Sequence, residues 1–358
     1  MMIHSLYVKD FKSIDEFDFS LKKINLFVGP NSSGKTSAIR ALLLGVDNIC
    51  NLQTPHKMSS TFVPSEAFKD ARNFVTNAKS YQIKIDDLDL NFKPADDTLV
   101  NTNVEIDSVG NLSEKENLFL KNLKRNFLYL PANRIVDYSD SKINPRPDEN
   151  ALGLHGEFII DYFQQNKDSV ALPEIIREDK STNTFAGQVN YWLKKLTGYG
   201  MDVVFDDSKY VVRYVDRYLH KIHPNNVGTG VGFIAGVLIA CFAGALNGGY
   251  IVIENPEIHL HPSAQADLTD FFSLIAKTDA QLFIESHSDH IFNGIRRLLH
   301  SRNLQLNDVG IFNFRLEDIG STSISEIALS QEGGVPDYVP GLFEQFDKDL
   351  DSILRIYP

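Results

Sequence analysis

Apolar and polar positions alternate with period two near both ends of the chain, and longer apolar runs lie between. Residues 3–8 alternate as a strand, Asp10-Phe11-Lys12-Ser13-Ile14 predicts a turn, and Phe17 to Phe19 opens a second short strand. Lys23 to Val28 ends in an apolar run, a third strand, and Ser37 to Gly45 carries apolar residues at helical density. Residues 51–80 are mixed and polar, a loop with a helix near Ser65 to Ala78. Tyr81 to Ile85 and Leu88 to Phe92 alternate about Asp86-Asp87, a hairpin, and Val100 to Ile106 alternates too. A helix at Glu114 to Lys124 leads into a buried strand, Asn126 to Leu130, and the Pro-rich stretch 131–150 is a loop. Helices at Gly156 to Gln165 and Phe185 to Leu196 precede strands at Met201 to Phe205 and Tyr210 to Tyr214. Further helices span Ser263 to Lys277 and Ser288 to His300, with a short apolar strand, Gln281 to Glu285, between them. The tail alternates at Val309 to Phe314 and Thr322 to Leu329 and ends in a helix near Pro340 to Leu354.

One stretch organises this pattern. Gly29-Pro30-Asn31-Ser32-Ser33-Gly34-Lys35-Thr36-Ser37 fits G-x-x-x-x-G-K-S/T in full, with the third strand before it and the helix after it. Backbone N–H groups of such a loop, and of the helix start behind it, point at an anion. Lys35 is expected to reach the β- and γ-phosphates of a nucleotide, and Thr36 to offer its hydroxyl to Mg²⁺.

Two more strand ends add polar residues. Tyr250 to Ile253 runs into Glu254-Asn255-Pro256-Glu257-Ile258-His259-Leu260-His261-Pro262, and an acid at the end of a buried strand is what a nucleotide-bound Mg²⁺ needs. Gln281 to Glu285 runs into Ser286-His287-Ser288-Asp289-His290, where His287 can hydrogen-bond a γ-phosphate or polarise a water. The Gly-rich segment Asn225 to Gly232, with Gly228, Gly230 and Gly232, opens a long apolar helix expected to begin near Val231. The helix start can bind a phosphate, or the segment is a flexible turn.

Composition narrows the partners. The chain has 358 residues and a net charge of −12, from 35 Lys and Arg against 47 Asp and Glu. That weighs against a uniformly basic nucleic-acid binder and leaves a local basic groove open. Candidates for one are Lys121, Lys124 and Arg125, or Arg296, Arg297 and Arg302. Cys50 and Cys241 stand far apart in no ligand spacing, and the first ten residues lack a signal-peptide layout, so a cytoplasmic setting is expected. Ile222 to Ile253 contains no Asp, Glu, Lys or Arg and is long enough for a membrane span. Gly248-Gly249 divides it, however, and its second half reads as a central parallel strand, so no membrane is expected.

The order of phosphate loop, antiparallel insertion, Gly-rich helix start, acidic strand and strand-His resembles the ABC-type ATPases of the SMC, RecF and OLD branch. In that resemblance Asp10 to Ile14 is the N-terminal turn that brings Lys12 and Ser13 near the nucleotide. Ile253 to Pro262 is similar to its Walker B with the D-loop, and Glu285 to His290 to its His switch. Asn293-Gly294-Ile295-Arg296 and the ending Val335 to Gln345 resemble a set of stand-alone bacterial ATPases of this branch. The resemblance implies an α/β ABC-ATPase head: a mixed β-sheet with a P-loop core, an antiparallel β subdomain and a helical insertion. It divides the chain into a β-rich lobe (1–130), an inserted region (131–220), a signature, Walker B and His-switch lobe (221–305) and a small C-terminal extension (306–358). It implies ATP and Mg²⁺, the metal on Thr36 and Glu254, and a homodimer closed by ATP in which residues 228–232 of one chain touch the γ-phosphate held by Lys35 of the other. Phosphate contacts would come from Asn31, Ser32, Ser33, Gly34, Lys35, Thr36 and Ser37, and the chemistry from Glu254, Asn255, Glu257 and His287.

Two departures matter. Gly232 and Phe233 stand where the family's signature offers Ser and Gln, and Asn255 stands where it places the catalytic Glu. An amide cannot serve as a general base, so slow hydrolysis is expected, with Glu257 a substitute that strand geometry turns differently. The sequence has no zinc cluster and no His-Asn-His nuclease spacing, so a separate nuclease or toxin is expected as the effector, and DNA is a possible ligand. The alternative is a self-sufficient, DNA-stimulated ATPase of the RecF type. A transporter subunit is disfavoured because no Leu-Ser-Gly-Gly-Gln signature is present. Asn133 and Arg134 either couple nucleotide to partner or begin a turn.

Overall fold

The computed structural model describes residues 2–51, 62, 67–94, 104–107, 114–134, 141–147, 151–172, 175, 183–206, 209–336, 342 and 345–354. The chain opens with three strands, β1 (Ser5–Phe11), β2 (Ile14–Ser20) and β3 (Ile24–Val28), then helix α1 (Lys35–Cys50) and the short α2 (Phe68–Ala71). Strands β4 (Tyr81–Ile85), β5 (Leu88–Pro94) and β6 (Val104–Asp107) follow, then α3 (Glu114–Asn126), β7 (Phe127–Leu130), α4 (Ile159–Asn166) and α5 (Phe185–Thr197). Next come β8 (Gly200–Asp206), β9 (Lys209–Val215), the two-residue β10 (Lys221–Ile222), α6 (Thr229–Asn247) and β11 (Tyr250–Glu254). The chain continues with α7 (Pro262–Ile275), β12 (Gln281–Glu285), α8 (Asp289–His300), β13 (Val309–Leu316), β14 (Thr322–Glu326) and α9 (Gln345–Leu354).

The central sheet has the order β14-β13-β3-β12-β11-β7, with only β14 antiparallel. Its strands are apolar on both faces because both are covered. Ile24, Leu26, Val28, Ile251, Ile253, Leu282 and Ile284 face one core with helices α4 to α8. Phe27, Tyr250, Val252 and Phe283 alternate to the other, shared with α1 and a second sheet of order β2-β1-β4-β5-β6. Gln281 joins the two sheets at their start, where its side chain accepts from Ile3 N (2.9 Å) and donates to Ile3 O (2.7 Å) and Lys22 O (2.9 Å).

The segment after 306 contributes to the middle of this architecture. Strand β13 pairs in parallel with the phosphate-loop strand β3, and Phe312 and Phe314 pack on Phe19 and Phe27 with ring centroids 5.1–6.2 Å apart. The ending Val335 to Gln345 lies largely outside the described residues. Helix α6, long and apolar enough to cross a membrane, is instead the central helix of the first core, with 89% of its apolar window buried. It begins at Thr229, two residues before the expected start at Val231. The helix expected from Ser65 to Ala78 is confined, among the described residues, to Phe68–Ala71. It stops because Arg72 bridges to Phe11 and the Asn73 side chain accepts from the Val75 and Thr76 N–H groups, forming a turn.

Candidate nucleotide-binding site

The phosphate loop leaves β3 with left-handed backbone at Gly29 (φ 140°), Ser32 (φ 60°) and Gly34 (φ 103°), which turns successive N–H groups to one side. A Cβ at Gly29 would strike the Phe314 carbonyl, and one at Gly34 the Thr322 hydroxyl, so both positions need glycine. Gly34 N-caps α1 without a side-chain hydrogen bond, so no cap side chain takes up the helix's first N–H groups. Asn31, Ser32 and Thr36 are exposed, Ser37 is half-buried, and the Ser33 hydroxyl is buried with no hydrogen-bond partner among the described residues.

Lys35 is 2% exposed and donates to the carbonyls of Gly29 (2.9 Å) and Pro30 (2.7 Å). Burial pushes its pKa down, and the carboxylates of Glu285 and Glu257 push it back. Thr36 places its hydroxyl 3.0 and 3.1 Å from the two oxygens of Glu285. Burial, then the neighbouring charge of Glu254, raise the Glu285 carboxyl to about 7, against the opposing pull of Lys35 and Thr36.

Glu254 turns the other way. Its Oε1 accepts from the Tyr129 hydroxyl at 2.8 Å and its Oε2 from Ala132 N at 3.0 Å. Asn255 follows in left-handed backbone (φ 46°), its N–H on the Glu285 carbonyl and its Oδ1 buried without a hydrogen-bond partner among the described residues. Glu257 accepts through Oε1 from the Ser286 hydroxyl and His287 N, both at 2.9 Å, and its Oε2 is buried with no hydrogen-bond partner among the described residues. Its pKa is raised by burial, against the donors His287 N and Ser286. The His287 imidazole is pushed down by burial and by Lys35, with the Gly29 carbonyl opposing. The structure thus brings Lys35, Thr36, Glu285, Glu257 and His287 around one point, with Glu254 beside them.

Lys12 and Ser13 are placed differently from one another. Lys12 is left-handed (φ 52°), its amine 3.5 Å from the Asp70 carbonyl. Ser13 accepts from the Thr322 hydroxyl at 2.7 Å, and Thr322 in turn abuts Gly34, so this turn touches the phosphate loop through β14. In the Gly-rich segment Gly228 and Thr229 are exposed, whereas Gly230 and Gly232 are buried in this chain. A Cβ at Gly230 would stand 2.8 Å from the His259 carbonyl. Arg134 joins these parts: it donates to the Glu254 carbonyl (2.8 Å) and lies 4.7 Å over the ring of Phe233 in the first turn of α6.

No motif along the chain marks Tyr129 or Thr322, and Glu285 enters the sequence reading only as the residue that opens the His-switch match. Glu285 repeats the signal of Glu254, an acid ending an apolar run. Among the described residues no three His, Cys, Asp or Glu converge as a metal cage. The hard oxygen donors that meet here, the Thr36 hydroxyl and the Glu285 carboxylate, fit Mg²⁺ shared with phosphates, which binds few protein groups, whereas both oxygens of Glu254, the sequence's candidate, are held by Tyr129 and Ala132.

The chain is similar in fold to an SMC head crystallised with the C-terminal winged-helix domain of ScpA (TM-score 0.61, 13% identity, covering 92% of this chain and 99% of that one). It is also similar to the Pyrococcus furiosus SMC head with an extended coiled coil bound to the C-terminal domain of ScpA (TM-score 0.56, 11% identity, covering 98% and 99%). No curated protein sequence matches it. Residues 24–293 match the family model described as "AAA domain, putative AbiEii toxin, Type IV TA system". With that match over most of its length and the architecture above, the chain belongs to this AAA-domain family and has the ABC-type ATPase head fold of the SMC and RecF branch.

Proposed function

We propose that this chain binds ATP, hydrolyses it slowly, and acts as a nucleotide-gated dimeric switch that controls a separate effector, a nuclease or toxin, in cytoplasmic antiviral defence. The observation that carries the reading is the convergence of a complete phosphate loop with Thr36, Glu285, Glu257 and His287, and the resemblance adds Asn255 where the family has its general base. Lys35 leaves the carbonyls of Gly29 and Pro30 to meet the β- and γ-phosphates. The N–H groups of residues 33–37 hold the same oxygens. Thr36 and a neighbouring carboxylate would hold Mg²⁺, which when bound would neutralise charge on the transferred phosphoryl group. His287, beside Lys35 and the Gly29 carbonyl, would hold a water or a γ-phosphate oxygen. Glu257 is the remaining candidate base, but Ser286 and His287 N–H already occupy its Oε1.

Exposed Gly228 and Thr229 are the part of the signature segment that a second chain can reach. Two chains therefore close head to tail over ATP, and the ligand favours the closed state. A toxin–antitoxin family description, and SMC heads that carry a separate protein, support an effector outside this chain. The RecF-type alternative requires a basic DNA surface. One candidate patch is partly engaged internally: Arg296 donates to the Gly333 carbonyl (2.7 Å) and Arg297 to Asp270 (2.9 Å). The test is ATP binding and turnover by the purified chain, with Lys35→Ala as control. Tight binding with turnover below about 1 s⁻¹, the low end for enzymes, and Lys35→Ala binding no ATP are expected. A turnover of many per second abolished by Asn255→Ala alone would overturn the slow-switch reading.

A further inference from the structure

The strand that ends in Glu254 is not the neighbour of the phosphate-loop strand. In the sheet, β12 lies between β3 and β11, with Glu285 paired to Phe27 on one side and to Glu254 on the other. Glu285 is therefore one strand away from the loop and Glu254 two. The side chains follow that geometry. Both oxygens of Glu285 point at the Thr36 hydroxyl, 3.0 and 3.1 Å away, and the residue is 4% exposed. Both oxygens of Glu254 are held from the opposite side by Tyr129 and Ala132. A hydroxyl donates one proton, so one Glu285 oxygen keeps free lone pairs on the Thr36 side. The remaining carboxylate of the cluster, Glu257, carries a second buried oxygen with no hydrogen-bond partner among the described residues. Buried acceptors left without donors favour a cation.

We propose that Glu285, rather than Glu254, is the carboxylate that meets the nucleotide's divalent cation beside Thr36, and that Glu254 is a positioning residue fastening the end of β11 to Tyr129 and the Ala132 turn. This rests on the nucleotide reading given above. Glutamate rather than a shorter acid suits both places: at the end of β12 it spans the distance to α1, and at the end of β11 it reaches across to β7.

The readout is ATP affinity in excess Mg²⁺ and in EDTA, measured by titration calorimetry for the wild type, Glu285→Gln and Glu254→Gln. Continuous-wave EPR of Mn²⁺ with ADP on the same proteins reports the cation directly. The wild type binds more tightly with Mg²⁺. Glu285→Gln is expected to lower that Mg²⁺ enhancement about tenfold or more, the scale of losing a group at a metal site, and to weaken Mn²⁺ binding in parallel. Its affinity in EDTA should stay within about threefold of wild type, a shift under one kcal/mol. Glu254→Gln is expected to keep the enhancement. The reverse pattern, collapse in Glu254→Gln with Glu285→Gln unchanged, overturns the proposal, as does loss in neither. If Glu285→Gln does not fold, Glu285→Asp keeps the charge but withdraws it by one methylene; an unchanged enhancement there overturns the proposal equally. A wild-type chain that binds no ATP removes the nucleotide reading itself and this proposal with it.

Discussion

At the scale of single residues, Asn255 is explained by its backbone as much as by its chemistry. At φ 46° it occupies the left-handed region, where most side chains cost about 1–2 kcal/mol but Asn is tolerated. Asn255→Ala should therefore lower stability by about 1 kcal/mol in urea denaturation, and Asn255→Gly should be close to neutral. Equal losses in both would show that the amide, not the backbone, matters. Cys50 makes a second residue-scale case. Burial pushes its thiol up to about 12, so the thiolate fraction at pH 8 is roughly a thousandfold below that of a free cysteine. Alkylation by iodoacetamide at pH 8 should be slow in the native chain, rise with pH toward about 12, and become fast for both thiols on denaturation. Rapid native alkylation at pH 8 would contradict this environment.

At the scale of elements, two contacts place the helices that carry the site. Helices α7 and α8 pack with Gly294 against Thr269: a Cβ at Gly294 would lie 2.7 Å from the Thr269 methyl and closer still to its hydroxyl. Gly294→Ala should cost about 1–3 kcal/mol by overpacking, and Thr269→Ala in the same chain should recover part of it. Thermal melts of the four-member cycle measure this; additive losses would mean that the two helices yield independently. Because α8 begins just after His287, a shift of this pair would also move the strand end that holds the imidazole and Glu285. The second contact is Arg134, which ties the Glu254 carbonyl to Phe233 at the start of α6. The nucleotide-site turn and the exposed Gly228-Thr229 pair are thereby linked through one guanidinium.

At the scale of the whole molecule, the tail after residue 305 is part of the fold's centre. Strand β13 takes the edge of β3, and β14 brings Thr322 against Gly34 and Ser13. Removing it would expose Phe19 and Phe27, each contributing about 1.5–3 kcal/mol when buried, and leave the phosphate-loop strand unpaired on one side. Truncation after Asn303 should give an aggregating chain without a cooperative melting transition. A soluble truncate with a wild-type melting curve would show the tail to be dispensable.

The sequence by itself determined the local parts. A complete phosphate loop between strand and helix, the hairpin about Asp86-Asp87, and the strand ends at Glu254 and Glu285 are set by neighbours within a few residues, where period and loop chemistry act directly. It also carried the departure at Asn255. Tertiary structure alone decided which strand lies beside which. That choice depends on long-range pairing and on packing both faces of the central sheet, and it leaves no mark on local periodicity. For that reason Glu285 and Glu254, alike along the chain, have different partners, Thr36 and Tyr129. For the same reason Thr322, nearly 300 residues away in sequence, backs the phosphate loop, and Arg134, whose role the sequence leaves open between a coupling loop and a turn, closes the link to α6.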